Sequence, residues 1–135
     1  MTVQFTIPGK PFAWRRARSN GKVRFNDKAM EANADTLAAI ALPHFPAPIE
    51  GPVRLEIRAT FAVPKSYSKT KRDATIWRPH TQKPDGDNLA KQIGDALNRI
   101  AWVDDSQIAD TRIIKLWGDK DQTVVFVDAI GPETV

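Results

Sequence analysis

The chain has no cysteine among its 135 residues. That excludes disulfides and every metal site built on thiolates. Its two histidines, His44 and His80, stand alone. Each reads as a loop residue, and neither is paired with a nucleophile. No serine or threonine sits in a nucleophile motif, and there is no glycine-rich phosphate loop, so no nucleotide cofactor is expected. No apolar run approaches the length needed to span a bilayer, which argues against a membrane partner. The start, Met1-Thr2-Val3-Gln4-Phe5, lacks the basic-then-apolar layout of a signal peptide, so a cytoplasmic location is expected. Internal repeats and low-complexity tracts are also missing.

What is present is an ordinary globular composition, 41% hydrophobic and 27% charged, at a length that suits a single domain over residues 1–135. The net charge of +4 hides a segregation. Residues 1–30 hold seven Lys/Arg and one acid, and residues 62–83 hold six and one. Residues 84–135 hold ten acids and five Lys/Arg. Clustered cations can follow a phosphate backbone and release its counterions. A plain solvated face has the same composition, and charge alone does not separate the two.

Val3, Phe5 and Ile7 alternate with polar residues before Pro8-Gly9 and predict a short strand. Residues 9–26 read as a loop in which Arg15, Arg16, Arg18, Lys22 and Arg24 interleave with Phe12, Trp14 and Phe25. Cations for phosphates and rings for bases suit a nucleic-acid surface, and aromatic anchors to the core would give the same pattern. Asn26 or Asp27 is placed to cap a helix carrying Met30, Ala34, Leu37, Ala38 and Ala41 on one side and ending before Pro43. Residues 43–48 form a proline-rich connector. Val53, Leu55, Ile57, Ala59, Phe61 and Val63 then alternate strictly with Arg54, Glu56, Arg58 and Thr60, a strand with one buried face. Residues 64–83 read as a long basic connection. A second helix is expected from about Asn88, with Leu89, Ile93, Ala96, Leu97 and Ile100 as its apolar stripe. Gly94 inside it costs about 1 kcal/mol relative to Ala, which a close backbone approach would explain. Gln107–Trp117 and Thr123–Ile130 read as strands joined in a hairpin at 118–121. The predicted order is β-α-β-α-β-β, an α+β two-layer fold with a mixed sheet and both helices on one face.

Chemistry concentrates in Lys83-Pro84-Asp85-Gly86-Asp87-Asn88-Leu89-Ala90-Lys91 and in Trp102-Val103-Asp104-Asp105-Ser106-Gln107-Ile108. Magnesium takes oxygen ligands and is commonly held by a few carboxylates plus substrate phosphate. At a strand-to-helix junction the chain turns, so Asp85 and Asp87 can converge. Asp87 or Asn88 is also a good N-cap, and a helix N-terminus tolerates both carboxylate and phosphate. Lys91 lies one turn beyond Asp87 on the same side, and Asp95 one turn further, placed to orient Lys91. The loop bearing Asp104 and Asp105 can return beside them. Residue types alone leave a second reading open, in which these acids are turn and cap residues.

The spaced signature over residues 83–108, with Asp95-Ala96-Leu97 between its halves, resembles the RusA family of Holliday-junction resolvases. Val63-Pro64-Lys65-Ser66 and Lys115 are similar to versions found in phages and prophages. By element order and length the likeness extends over most of the chain. It implies a small homodimeric endonuclease that needs Mg²⁺, with Mn²⁺ as a substitute, and that cuts four-way DNA junctions in recombination and repair. By position, Asp85, Asp87 and Asp105 match the family's catalytic, metal-binding aspartates, and Lys91 its functional lysine. Gly86 departs from the pattern, where a bulkier apolar residue is expected. Cations placed for the DNA arms are Lys10, Arg15, Arg16, Arg18, Lys65, Lys69, Lys71, Arg72 and Lys83. The alternatives are a non-catalytic protein that binds branched DNA, and a nuclease acting mainly on other branched forms.

Overall fold

A computed structural model describes residues 2–16, 18–19, 24–25 and 27–131. Four strands form the main sheet. These are β1 (Thr2–Pro8), β4 (Val53–Ala62), β5 (Ile108–Gly118) and β6 (Gln122–Ala129). Two short strands, β2 (Arg18–Ser19) and β3 (Arg24–Phe25), make a separate antiparallel ribbon. The helices are α1 (Lys28–Ala41), α2 (Lys69–Thr75) and α3 (Gly86–Leu97). In the sheet, ordered β1-β6-β4-β5, only the β4–β5 pair is parallel. A parallel pair needs a long crossover, and residues 63–107, carrying α2 and α3, supply it.

Alternation decides which face is covered. Val3, Phe5 and Ile7 of β1, Val53, Leu55 and Ile57 of β4, and Val125 and Val127 of β6 are all buried. They join Leu37 and Ala41 of α1 and Ile93 and Leu97 of α3 in one core. Each such aliphatic side chain contributes about 1.5–3 kcal/mol relative to exposure. Fully buried Trp102 closes the core below α3. The other face of the sheet carries charge. Arg54 pairs with Asp110 at 2.9 Å, and Arg58 with Glu56 at 2.9 Å. The mixed sheet with α1 and α3 on one face agrees with the pattern read from the sequence. Among the described residues, no helix is long and apolar enough to cross a membrane.

Three local expectations need correction. The segment 9–26 is more than a loop, since it contains the β2–β3 ribbon. Asn26, Lys22 and the side chains of Arg18, Arg24 and Phe25 lie outside the described residues, and Asp27 is the cap, accepting from the Met30 N–H at 3.1 Å. The basic connection 64–83 folds into α2, because the Ser68 hydroxyl caps it by accepting from the Lys71 N–H at 3.2 Å. The strands β5 and β6 do not form a hairpin, for β4 lies between them. Residues 119–121 step across the end of β4, where the Ala62 N–H donates to Asp121 at 2.8 Å and the Val63 N–H to the Gly118 carbonyl at 3.0 Å. The crossing is tight, and a Cβ on Gly118 would overlap the Thr60 methyl. Finally, His80 lies in a loop as expected, but not an exposed one. It is buried, its ring stacked on Phe61 with centroids 3.8 Å apart and its N–H bonded to the Lys115 carbonyl at 2.9 Å.

Candidate active site

Helix α3 organises the site. Its apolar stripe, Leu89, Ile93 and Leu97, is buried, which fixes the rotation of the helix and turns Asp87, Lys91 and Asp95 outward, where all three are exposed. The helix starts at Gly86, two residues earlier than expected, with Asp85 at the N-cap in place of Asp87 or Asn88. Gly86 has a packing reason. A Cβ there would stand 3.4 Å from the Ile113 Cγ2 of β5, so little room remains for a larger side chain. Gly94 does not show the close approach expected of it, because its Cβ would meet only Ile108 Cδ1 at 3.9 Å, an ordinary contact.

The early start separates the two acids of the Asp-Gly-Asp segment. With 3.6 residues per turn, positions two apart lie about 200° apart around a helix axis. Asp87 faces a cleft of about 350 Å³ together with Lys91, Asp95, Asp105 and Thr111, floored by Gly94 and Ile108. Asp85 faces a second cleft of about 590 Å³ with Phe12, Trp14, Lys83 and Asn88. The structure thus brings Asp87, Lys91, Asp95 and Asp105 together and leaves Asp85 around the helix start. Among the described residues, no three His, Asp or Glu side chains are gathered closely enough to hold a metal ion.

Asp105 reaches the cleft from a one-turn 3₁₀ helix, Asp105–Gln107. Asp104 caps that turn reciprocally with Gln107. The Asp104 carboxylate accepts from the Ser106 N–H at 3.3 Å, and its own N–H donates to the Gln107 amide oxygen at 2.8 Å. Gln107 also donates to the Ile49 and Gly51 carbonyls, both at 2.8 Å, tying the turn to the body. A hydrogen bond with Asp104, then burial, holds the Asp105 carboxyl above the usual carboxylate range, while Lys91 pulls the other way. Asp104 is held below that range, first by the Ser106 N–H and then by Asp105. The pair therefore titrates asymmetrically, with Asp105 the readier to keep a proton.

Lys91 is not oriented by Asp95. Its ammonium lies 4.1 Å from the centre of the Trp14 ring, and Trp14 is itself moored to α3 by its N–H, which donates to the Asn88 carbonyl at 2.9 Å. Sequence reasoning placed Trp14 on a nucleic-acid surface but missed its partner. The Lys91–Trp14 contact forms the ridge between the two clefts. Next in the chain, Arg15 pairs with Asp27 at 2.8 Å and lies over Phe12 at 4.8 Å. Of the other proposed DNA cations, Lys10, Arg16, Lys65, Lys69, Lys71 and Lys83 are exposed, and Arg72 is half-buried. Lys65 precedes α2, while Lys69, Lys71 and Arg72 lie on it, and the Lys71 ammonium sits 4.0 Å from the Tyr67 ring centre. Lys10 and Lys83 both border the wider cleft. The side chain of Arg18 is outside the described residues.

The family model described as endodeoxyribonuclease RusA matches residues 8–128, which include both clefts and leave out all of β1 but Pro8. The chain is also 34% identical over 135 residues to the uncharacterized protein YqaN of Bacillus subtilis (strain 168), covering 93% of this chain and 94% of that one.

Proposed function

From the premise that this chain belongs to the endodeoxyribonuclease RusA family, we propose that it is a Mg²⁺-dependent nuclease that resolves four-way DNA junctions by paired hydrolysis of phosphodiester bonds. The observation that carries this reading is the cleft where Asp87 and Lys91 from one half of the signature meet Asp105 from the other. The donor set fits a hard divalent ion, since every candidate ligand is a carboxylate oxygen. Asp87 and Asp105 would hold the ion, and Asp85, on the opposite side of the helix start, would have to turn toward them to supply a third carboxylate. When bound, the ion, Mg²⁺ or Mn²⁺, supplies positive charge to the phosphate and lowers the pKa of water.

The rest belongs to the chain itself. Lys91, held over Trp14, offers its charge to the phosphoryl oxygens as negative charge grows on them. Asp104 holds the turn that presents Asp105. Lys10, Lys83 and the cations of α2 contact phosphates and fix the position of the DNA without reading its sequence. A homodimer would present two such clefts about a two-fold axis and so pair the nicks. The protein would work in the cytoplasm.

The test is purified protein on a synthetic four-way junction with Mg²⁺. Symmetric nicks that disappear with EDTA and in Asp87→Asn are expected. Full activity in EDTA, or in Asp87→Asn, sinks the proposal. One observation favours a second reading, a non-catalytic protein that binds branched DNA: the described residues gather no ready group of three ligands. That reading expects tight, salt-sensitive junction binding without cleavage in any divalent metal. Cleavage of flaps in preference to junctions would instead mark a nuclease for other branched DNA.

A further inference from the structure

The larger cleft, on the far side of α3 from Asp105, has no part in the chemistry above beyond Asp85. Its volume of about 590 Å³ lies within the range of small-molecule sites, and such sites combine apolar walls with a few polar groups. Here the walls include Phe12 and Trp14, and the polar groups include Asn88, Lys10 and Lys83. The aromatic segment is held in place before any ligand arrives. Trp14 is bonded through its N–H to Asn88 and covered by Lys91, while Phe12 is covered by Arg15, which Asp27 holds.

We propose that this cleft receives one nucleobase of the substrate strand, unstacked from the duplex beside the phosphate to be cut. The adjacency to the cut rests on the nuclease reading, whereas the preference for a base rests on the cleft. Rings supply a stacking surface that any base can use. The Asn88 carboxamide offers a donor and an acceptor to a base edge. Lys10 and Lys83, both exposed, offer charge to the flanking phosphates. Continuity with the acid cleft comes from Asp85 and Asp87, two residues apart on opposite sides of one helix start. A strand whose phosphate lies at Asp87 and Asp105 would reach this cleft with the neighbouring base across the Lys91–Trp14 contact. A pocket of this kind would make the enzyme select nucleotides at the cut, and Asn88 would set the choice.

The experiment measures binding of the full chain, in EDTA, to four-way junctions that each carry one abasic nucleotide at successive positions around the branch point. For the unmodified protein, one position near the cut is expected to lose about 10-fold in affinity, the scale of one base–aromatic stack. In Trp14→Ala the same abasic junction should bind no worse than the intact one. The proposal is overturned if no abasic position weakens binding, or if Trp14→Ala keeps the same profile of losses. Phe12→Leu provides a second variant should Trp14→Ala melt early, with the same profile as its criterion. Failure of the two readings is separable. Coupling between Trp14 and one base, without nicking in Mg²⁺, refutes the nuclease and keeps the cleft. Nicking without coupling refutes the cleft alone.

Discussion

On one side of the first turn of α3 the surface is acidic and narrow, and on the other it is aromatic, cationic and wider. The two clefts share a helix start and the Lys91–Trp14 ridge, yet they are built by different means. The acid cleft is assembled from sequence-distant carboxylates, Asp87 and Asp105, each held by a turn whose own hydrogen bonds fix it. The aromatic cleft is assembled by a loop moored to Asn88. The difference teaches that neighbouring residues of one motif can face different clefts. Asp85 and Asp87 are separated by the helix they begin.

The largest expected effect falls on the acid cleft. Asp87→Asn should lower junction nicking by about 10³-fold or more, since it removes charge that the ion requires, several kcal/mol of transition-state stabilisation. Junction binding in EDTA should stay the same or tighten, because a negative charge leaves the path of phosphate. Single-turnover cleavage beside a binding titration checks both. Loss of binding instead of cleavage would move Asp87 from chemistry to structure. Lys91→Met comes next, at about 10²-fold in the cleavage step. Lys91 stands on the ridge, so this variant also bares the Trp14 ring. An abasic profile unchanged in Lys91→Met would show that the two clefts act independently.

Two glycines of α3 sharpen the comparison through stability. Gly86 faces Ile113 at 3.4 Å, and Gly94 faces Ile108 at 3.9 Å. Gly86→Leu should overfill the contact with β5 and cost about 1–3 kcal/mol in urea unfolding. Gly94→Ala should gain up to about 1 kcal/mol from helix propensity, while its methyl enters the floor of the acid cleft. A stabilised Gly94→Ala with weakened nicking, beside an aromatic cleft with an unchanged abasic profile, would assign the floor to the acid side alone.

Much of this was legible in the sequence. Strict alternation from Val53 to Val63 marks β4, and the stripe from Leu89 to Leu97 orients α3, because both signals are local periodicities. The acids of the acid cleft were legible through the spaced signature over residues 83–108 and its resemblance to a family, not through periodicity. What was not legible depends on contacts across the chain. The insertion of β4 between β5 and β6 follows from sheet closure, which a short polar turn at 119–121 does not reveal. The Trp14–Lys91 pairing depends on a backbone bond to Asn88. The close approach expected at Gly94 is found at Gly86, since only the fold shows which glycine lies nearer to β5. The cap at Ser68 was a local signal, masked by the charge around it.

The smallest expected effect concerns pH, which should act on stability and on cleavage through different groups. Burial, then the charge of Lys115, holds His80 below its ordinary value of 6.5. The folded state therefore keeps His80 neutral where the unfolded chain would protonate it. Its contribution to stability is fully present above pH 6.5 and declines as pH falls from there through the folded value. His80→Phe, which keeps the stack on Phe61, should flatten the stability profile between about pH 7 and 5, as followed by denaturant midpoints. Activity should fall at lower pH through the acid cleft, where Asp105 keeps its proton to a higher pH than an ordinary aspartate. Asp104→Asn removes the charge and the hydrogen-bond partner that hold Asp105 up, so the acid limb of the nicking rate should move to lower pH. An acid limb that moves with His80→Phe and stays fixed in Asp104→Asn would take the pH control of cleavage out of the acid cleft.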